Sequence, residues 1–301
     1  MSIDVRSRTH SYKLILVFAL LFSLRATAAD DGADQVSLRV EDLGYDVASK
    51  VQALSLASGR LETIERKFDP NFGVLLDEAA FPEEGAVVQF LPASGTLFSF
   101  RRDFGKLSRE GANQPLEKKA IHSKAVALLQ DLGIATLTKG ENMISEEDWT
   151  PCKSEIVPVE SQEEVFDCWC LSKKLSCQGI PSVTSFIYIK VDGQSGKPIQ
   201  LVYVPVTKID DLESKISSDT AKEAAAALIS RLKRTGMQYT DSRLVVAAPN
   251  NEFAREQEPF SWEIFDQRLA WEVKYSLVRR GLEHHVYVYV DAMTGAVIGG
   301  R

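Results

Sequence analysis

Residues 286–301 read VYVYVDAMTGAVIGGR. In an extended chain successive side chains point to opposite faces, so Val286, Val288 and Val290 form one row and Tyr287, Tyr289 and Asp291 the other. Gly295 then offers the left-handed φ that a short hairpin loop needs, and Asp291, four residues earlier, brings a carboxylate within reach of the turn amides. The stretch predicts a half-buried β-hairpin with its valines inward.

The layout recurs at a long period. IYIKVDGQSGKPIQLVY (187–203) repeats it, with Ile187, Ile189 and Val191 inward, Tyr188, Lys190 and Asp192 outward, and Gly196 in the turn. AVVQFLPASGTLFSF (86–100) is a looser copy in which Leu91 and Pro92 stand where the others carry Asp and Gly or Ala. The glycines Gly95, Gly196 and Gly295 lie 101 and 99 residues apart, each after a hydroxyl residue: Ser94, Ser195 and Thr294. Such self-similarity predicts repeated supersecondary units.

Helices are expected ahead of the second and third hairpins. SSDTAKEAAAALISRLKRTG (217–236) opens with Ser and Asp cap candidates and a Thr220-x-x-Glu223 box, aligns Ala221, Ala224, Ala225, Leu228 and Leu232, and stops at Gly236. EKKAIHSKAVALLQDLG (117–133) aligns Ile121, Ala125, Leu128, Leu129 and Leu132 before Gly133, with His122 on its solvent side. A strand follows each helix: Trp271 precedes its turn glycine by 24 residues and Trp169 precedes its own by 27. Packing is the expected role of both tryptophans. The topology of residues 35–80 stays open, because ASKVQALSLASG reads as a helix while SLRVED and GVLLDEAAF read as short strands.

Residues 1–28 place Arg6, Arg8 and Lys13 before the apolar run LILVFALLFSL and end in small residues, the order of a secretory signal peptide cut after Ala28 or Ala29. Eleven apolar residues fall short of the roughly 20 that span a bilayer, so a secreted or periplasmic protein without stable membrane insertion is expected. Loss of Arg6, Arg8, Lys13 and Arg25 together with Asp4 takes the formal charge from −7 to −10. An acidic chain repels phosphate backbones, which argues against nucleic acid as a partner.

Cys152, Cys168, Cys170 and Cys177 fall within 26 residues, and an even count in an exported chain favours two disulfides. Zinc is the rival, but the spacing lacks the short C-x2-4-C knuckles of structural sites. A bridge from Cys152 would pin the acidic insertion after Gly133 to the sheet. Catalytic signals are absent from the sequence: there is no G-x-S-x-G, no H-E-x-x-H and no phosphate loop, and His284 and His285 face opposite ways on a strand. No catalytic, cofactor-binding or metal-ligating residue is therefore assigned.

The capped Ala-rich helix, the LAWEV strand (269–273) and the VYVDAMTGAVI hairpin (288–298) together resemble the PepSY domain, found in propeptides of secreted metallopeptidases and in exported bacterial proteins. The likeness runs over 218–300 and more loosely over 117–203 and the first hairpin. It implies an α+β fold of tandem cystatin-like units, each an antiparallel sheet curled against one helix: 30–105, a degenerate unit; 116–205, the cysteine-bearing unit; and 217–301. It also implies a non-catalytic module that binds a protein or peptide, a secreted peptidase among the candidates, in trans. Tyr188, Tyr287 and Tyr289 would supply contact surface, while Asp192, Gly196, Asp291 and Gly295 shape the turns. The alternative is a structural or small-ligand-binding envelope protein.

Overall fold

The computed structural model describes residues 36–301 apart from 57–60, 62, 70–71, 104, 106, 108–113, 153–155, 160–161, 166–167, 255–260 and 280. The expected signal peptide lies outside the described residues. The described fold is mixed α+β, and three segments of it follow one course, a helix and then an antiparallel meander.

The first has β1 (Val36–Arg39), α1 (Val47–Ala53), β2 (Thr63–Asp69), β3 (Val74–Phe81), β4 (Ala86–Phe90) and β5 (Leu97–Arg102). The second has α2 (Lys118–Asp131), β6 (Trp149–Cys152), the separate hairpin β7 (Ile156–Val159) and β8 (Gln162–Val165), β9 (Cys168–Cys177), β10 (Ile180–Asp192) and β11 (Pro198–Val204). The third has α3 (Ser218–Arg231), β12 (Gln238–Ala247), β13 (Arg268–Arg279), β14 (Leu282–Asp291) and β15 (Val297–Gly300). In the region whose topology stayed open, the helix stands ahead of the meander and both strand-like stretches form strands.

The three hairpins share their hydrogen bonds. The amides of Gly95, Gly196 and Gly295 donate to the carbonyls of Leu91, Asp192 and Asp291 at 2.7, 2.8 and 2.9 Å, and a register shift falls just before each turn. The helix entries match as well. Tyr45, Leu116 and Ile216, each immediately before an N-cap, lie over the three turn glycines, and the amides of Leu116 and Ile216 donate to the carbonyls of Gly193 and Ala292.

All three helices close on a leucine. After Leu54, Leu132 and Leu232, the next residues Ser55, Gly133 and Lys233 turn left-handed (φ 58°, 75° and 51°), and the amides of Leu56, Ile134 and Arg234 return to the carbonyls of Val51, Leu129 and Ile229. That bonding is a Schellman closure. The third helix therefore stops at Lys233 and not at Gly236, which lies three residues further on. Its N-cap is Ser217, whose hydroxyl accepts from the amide of Thr220, so the Thr220–Glu223 box is not the cap.

The first two meanders fuse through their last strands, giving one antiparallel sheet in the order β1-β2-β3-β4-β5-β11-β10-β9-β6. Helices α1 and α2 cover one face of it, and Val51, Leu54, Phe90, Phe100, Ile121, Leu129, Ile189 and Leu201 belong to a single core. His122, expected in solvent, is half-buried on α2. The third meander has its own core, in which Ala221, Ala225, Leu228 and Ile229 of α3 meet Val273, Val286, Val288 and Val290.

The spacing difference between the two tryptophans has a structural cause. Trp169 pairs with Val191 and Trp271 with Val290, the same register position in each hairpin. Between Pro181 and Phe186, however, β10 advances five residues while β9 advances two. The surplus carries the docking of the third meander: Ser182 bridges in parallel to Val246, Thr184 Oγ1 accepts from the amide of Ala248, and Val183 packs with Val245, Ala247 and Tyr289. Behind the β5–β11 seam, Trp262 and Ile264 of the β12–β13 connection pack with Leu76, Phe98 and Val202.

Candidate functional site

Asp192 and Asp291 stand at hairpin turns, where their hydrogen bonds are structural. Asp192 Oδ2 accepts from the amide and hydroxyl of Ser195 at 2.7 and 2.6 Å, while Asp291 Oδ1 accepts from the amides of Met293 and Thr294 at 2.8 and 2.9 Å. Both aspartates are buried. Trp271 Nε1 donates to Ser214 Oγ and so ties the strand to the helix entry.

Only one disulfide forms among the four expected cysteines, Cys152–Cys170, with Cα atoms 5.7 Å apart. Cys168 and Cys177 are buried thiols. They begin and end β9, and nine residues of extended chain span about 30 Å, far beyond the reach of a bridge. The single bond fastens β6 to β9 and lies beside Cys168 and Ile199.

The three outward tyrosines part company. Tyr289 is 2% exposed, packed against Val183 and Ala270, so it cannot be contact surface; the outer face of the third sheet is covered there by β10. Burial pushes its phenol pKa up. Tyr188 is half-buried, with its hydroxyl 3.4 Å from Cys170 Sγ. Tyr287 borders a concavity.

That concavity, about 210 Å³, is walled by Asp241, Arg243, Glu272, Lys274, Tyr287 and Arg301. Strand pairing assembles it. Arg243 lies opposite Glu272, Asp241 opposite Lys274, and Lys274 opposite Tyr287, while the alternate residues Val273, Val286 and Val288 turn inward to α3. Glu272 is 3% exposed, and its carboxylate is fully engaged: Oε1 accepts from Arg243 Nε and Nη2 at 2.9 and 2.7 Å, and Oε2 from Arg301 Nη2 at 3.1 Å. The guanidinium of Arg301 also stacks 4.1 Å from the centre of the Tyr287 ring.

Lys174 of β9 stands behind this group. Burial, then repulsion from Arg301, pushes its pKa down to about 8, with Glu272 acting in the other direction. Sequence reasoning missed the cluster, because its members come from four strands and the residue after β15 and share no local motif. The one legible sign was a Glu and a Lys at alternate positions of a strand whose other face is apolar. Among the described residues no group of three or more His, Cys, Asp and Glu is placed to hold a metal ion.

No curated protein sequence matches the chain. Among solved structures, the Bacillus megaterium YpeB C-terminal domain aligns over 96% of this chain and 96% of its own, at 11% identity and a TM-score of 0.33, too distant a superposition to carry an argument. Residues 215–301, the segment comprising α3 and β12–β15, match the PepSY family, described as peptidase propeptide and YPEB domain.

Proposed function

We propose that this is an exported, non-catalytic PepSY-type binding protein, built from three variants of one α-plus-meander unit, whose partner is a protein or peptide and whose target class includes secreted peptidases. The observation that carries the reading is the filled interior of the family-matching unit. Ala221, Ala225, Leu228 and Ile229 occupy the inner face of its sheet and are at most 7% exposed, so that unit offers partners its outer face and strand edge rather than an apolar chamber. A small-ligand role loses support on the same ground.

Shared helix entries, Schellman closures and hairpin bonds support descent of the three units from one plan, with the first shortened to a helix of 7 residues against 14 in the others. The disulfide fits export, since such bonds persist in oxidising compartments. Among the described residues no helix is long and apolar enough to cross a membrane.

The test is direct. Residues 30–301 are purified with the disulfide formed and titrated into initial-rate assays of secreted zinc metallopeptidases, with complex formation followed by size exclusion. Saturable inhibition with a co-eluting complex is the expected result. Unchanged rates and no complex across the panel would remove the peptidase from the reading.

A further inference from the structure

We propose that the cleft walled by Asp241, Arg243, Glu272, Lys274, Tyr287 and Arg301 is a carboxylate-binding site that receives an extended peptide. The inference rests on the peptide-binding reading above and names the chemistry such a partner presents.

Charge is the first argument. The chain carries a formal −7, yet Arg243, Lys274 and Arg301 converge on this one concavity with Lys174 close behind, against the carboxylates of Glu272 and Asp241. Glu272 offsets the lysines only in part, because both its oxygens accept from guanidinium donors. Among the described residues neither Lys174 nor Lys274 forms an ion pair, and the buried Nε of Arg301 has no hydrogen-bond partner. An unsatisfied buried donor beside ammonium groups outside any ion pair is costly unless an anion completes it. The depressed pKa of Lys174 agrees with that deficit.

Shape and neighbourhood select the anion. Guanidinium groups held flat by Glu272 and Tyr287 suit the planar fork of a carboxylate. Two carboxylates already in the wall disfavour a phosphate dianion more than a singly charged group. Beside the cleft, residues 238–243 of β12 pair with β13 on one side, while the pairing with β10 on the other side is confined to Val246. Most of those residues are exposed, so that edge is open to strand addition by an extended chain.

Four fluorescent hexapeptides of one extended, uncharged sequence test the site, with Glu or Gln at the central position and a free or amidated C-terminus. Titrated by anisotropy against residues 30–301, at least one carboxylate-bearing form is expected to bind tenfold or more tighter than the Gln amide. Which form gains tells whether the side chain or the C-terminus supplies the group. Lys274→Glu is expected to abolish the gain and Lys274→Ala to reduce it, at unchanged melting temperature. Equal affinity of all four peptides, no binding at millimolar concentration, a gain that survives Lys274→Glu, or displacement by inorganic phosphate at concentrations where acetate has no effect would each overturn the proposal. A peptidase inhibited by a chain that treats the four peptides alike removes the carboxylate site and leaves the binding role standing.

Discussion

Phe100 of β5 lies directly opposite Leu201 of β11, and each stands five residues beyond the glycine of its own hairpin. Equivalent positions facing each other mean that the first two meanders meet about a local two-fold axis. Both side chains are buried, at 1% and 0% exposure, in the core shared by α1 and α2. Phe100→Ala should cost about 3–5 kcal/mol and Leu201→Ala about 2–5 kcal/mol in urea denaturation. Because the two positions touch across one seam, the double variant should lose measurably less than the sum.

The turn glycines should rank by what their missing Cβ would meet. At Gly95 it would fall 2.3 Å from the ring of Tyr45, at Gly196 2.5 Å from the movable Cδ of Lys124, and at Gly295 no closer than 3.9 Å to Ile216. All three share positive φ, so alanine costs about 1 kcal/mol of backbone strain at each. Melting temperatures should fall in the order Gly95→Ala, then Gly196→Ala, then Gly295→Ala, the first being the most damaging.

Tyr45 also anchors a buried charge. Its hydroxyl donates to Asp77 Oδ2 at 2.7 Å, and Asp77, fully buried, accepts a bidentate pair from Arg66 at 2.6 and 2.8 Å. Tyr45→Phe keeps the ring over Gly95 and removes one hydrogen bond to an ion, a loss of about 1.5–3 kcal/mol by chemical denaturation. Tyr45→Ala should lose clearly more.

Peptide mapping under non-reducing conditions should recover Cys152 joined to Cys170, with Cys168 and Cys177 alkylated only after unfolding. The bond spans 18 residues of sequence, and closing such a loop is worth about 3 kcal/mol in the chain-entropy model. Reduction should lower stability by that order, and Cys152→Ser should reproduce it.

Lys174 should make stability climb with pH. Its folded pKa is about 8 against 10.5 for the ordinary group, so between those values the unfolded chain holds more protons and the folded state gains as pH rises. Below pH 8 the ammonium is charged in both states and the folded protein bears the whole penalty. Lys174→Met should therefore raise stability at pH 7 by at most about 3 kcal/mol and flatten the slope between pH 8 and 9.5.

Legibility in the sequence followed the range of the interactions. The inner rows of the second and third hairpins and the stripes of α2 and α3 were readable, since strand and helix periods act over a few residues. Helix closure was misread at Gly236 because left-handed φ at Lys233 is uncommon for a residue with a side chain and leaves no mark in composition. The three-residue excess between Trp169 and Gly196 was visible as a number, but its meaning, a bulge at 182–185 that docks the third sheet, depends on a surface more than 60 residues away. For the same reason Tyr289 looked exposed in an alternating strand and proved buried. The cationic cleft was unreadable because strand pairing, not sequence proximity, collects its members.

One asymmetry separates the third meander from the first two. The last strands of the first two units cross-pair, whereas Asn250 occupies the corresponding edge of the third: its amide donates to Ile298 O, its side chain donates to Gly300 O and accepts from Gly300 N, and its atoms fill the space a Cβ on Gly299 would need. An uncorked tail strand would invite another molecule and, copy upon copy, a fibre. Asn250→Ala would remove the side-chain bonds to Gly300 while keeping the backbone bond to Ile298, and self-association into β-rich polymers, followed by light scattering, is the expected outcome.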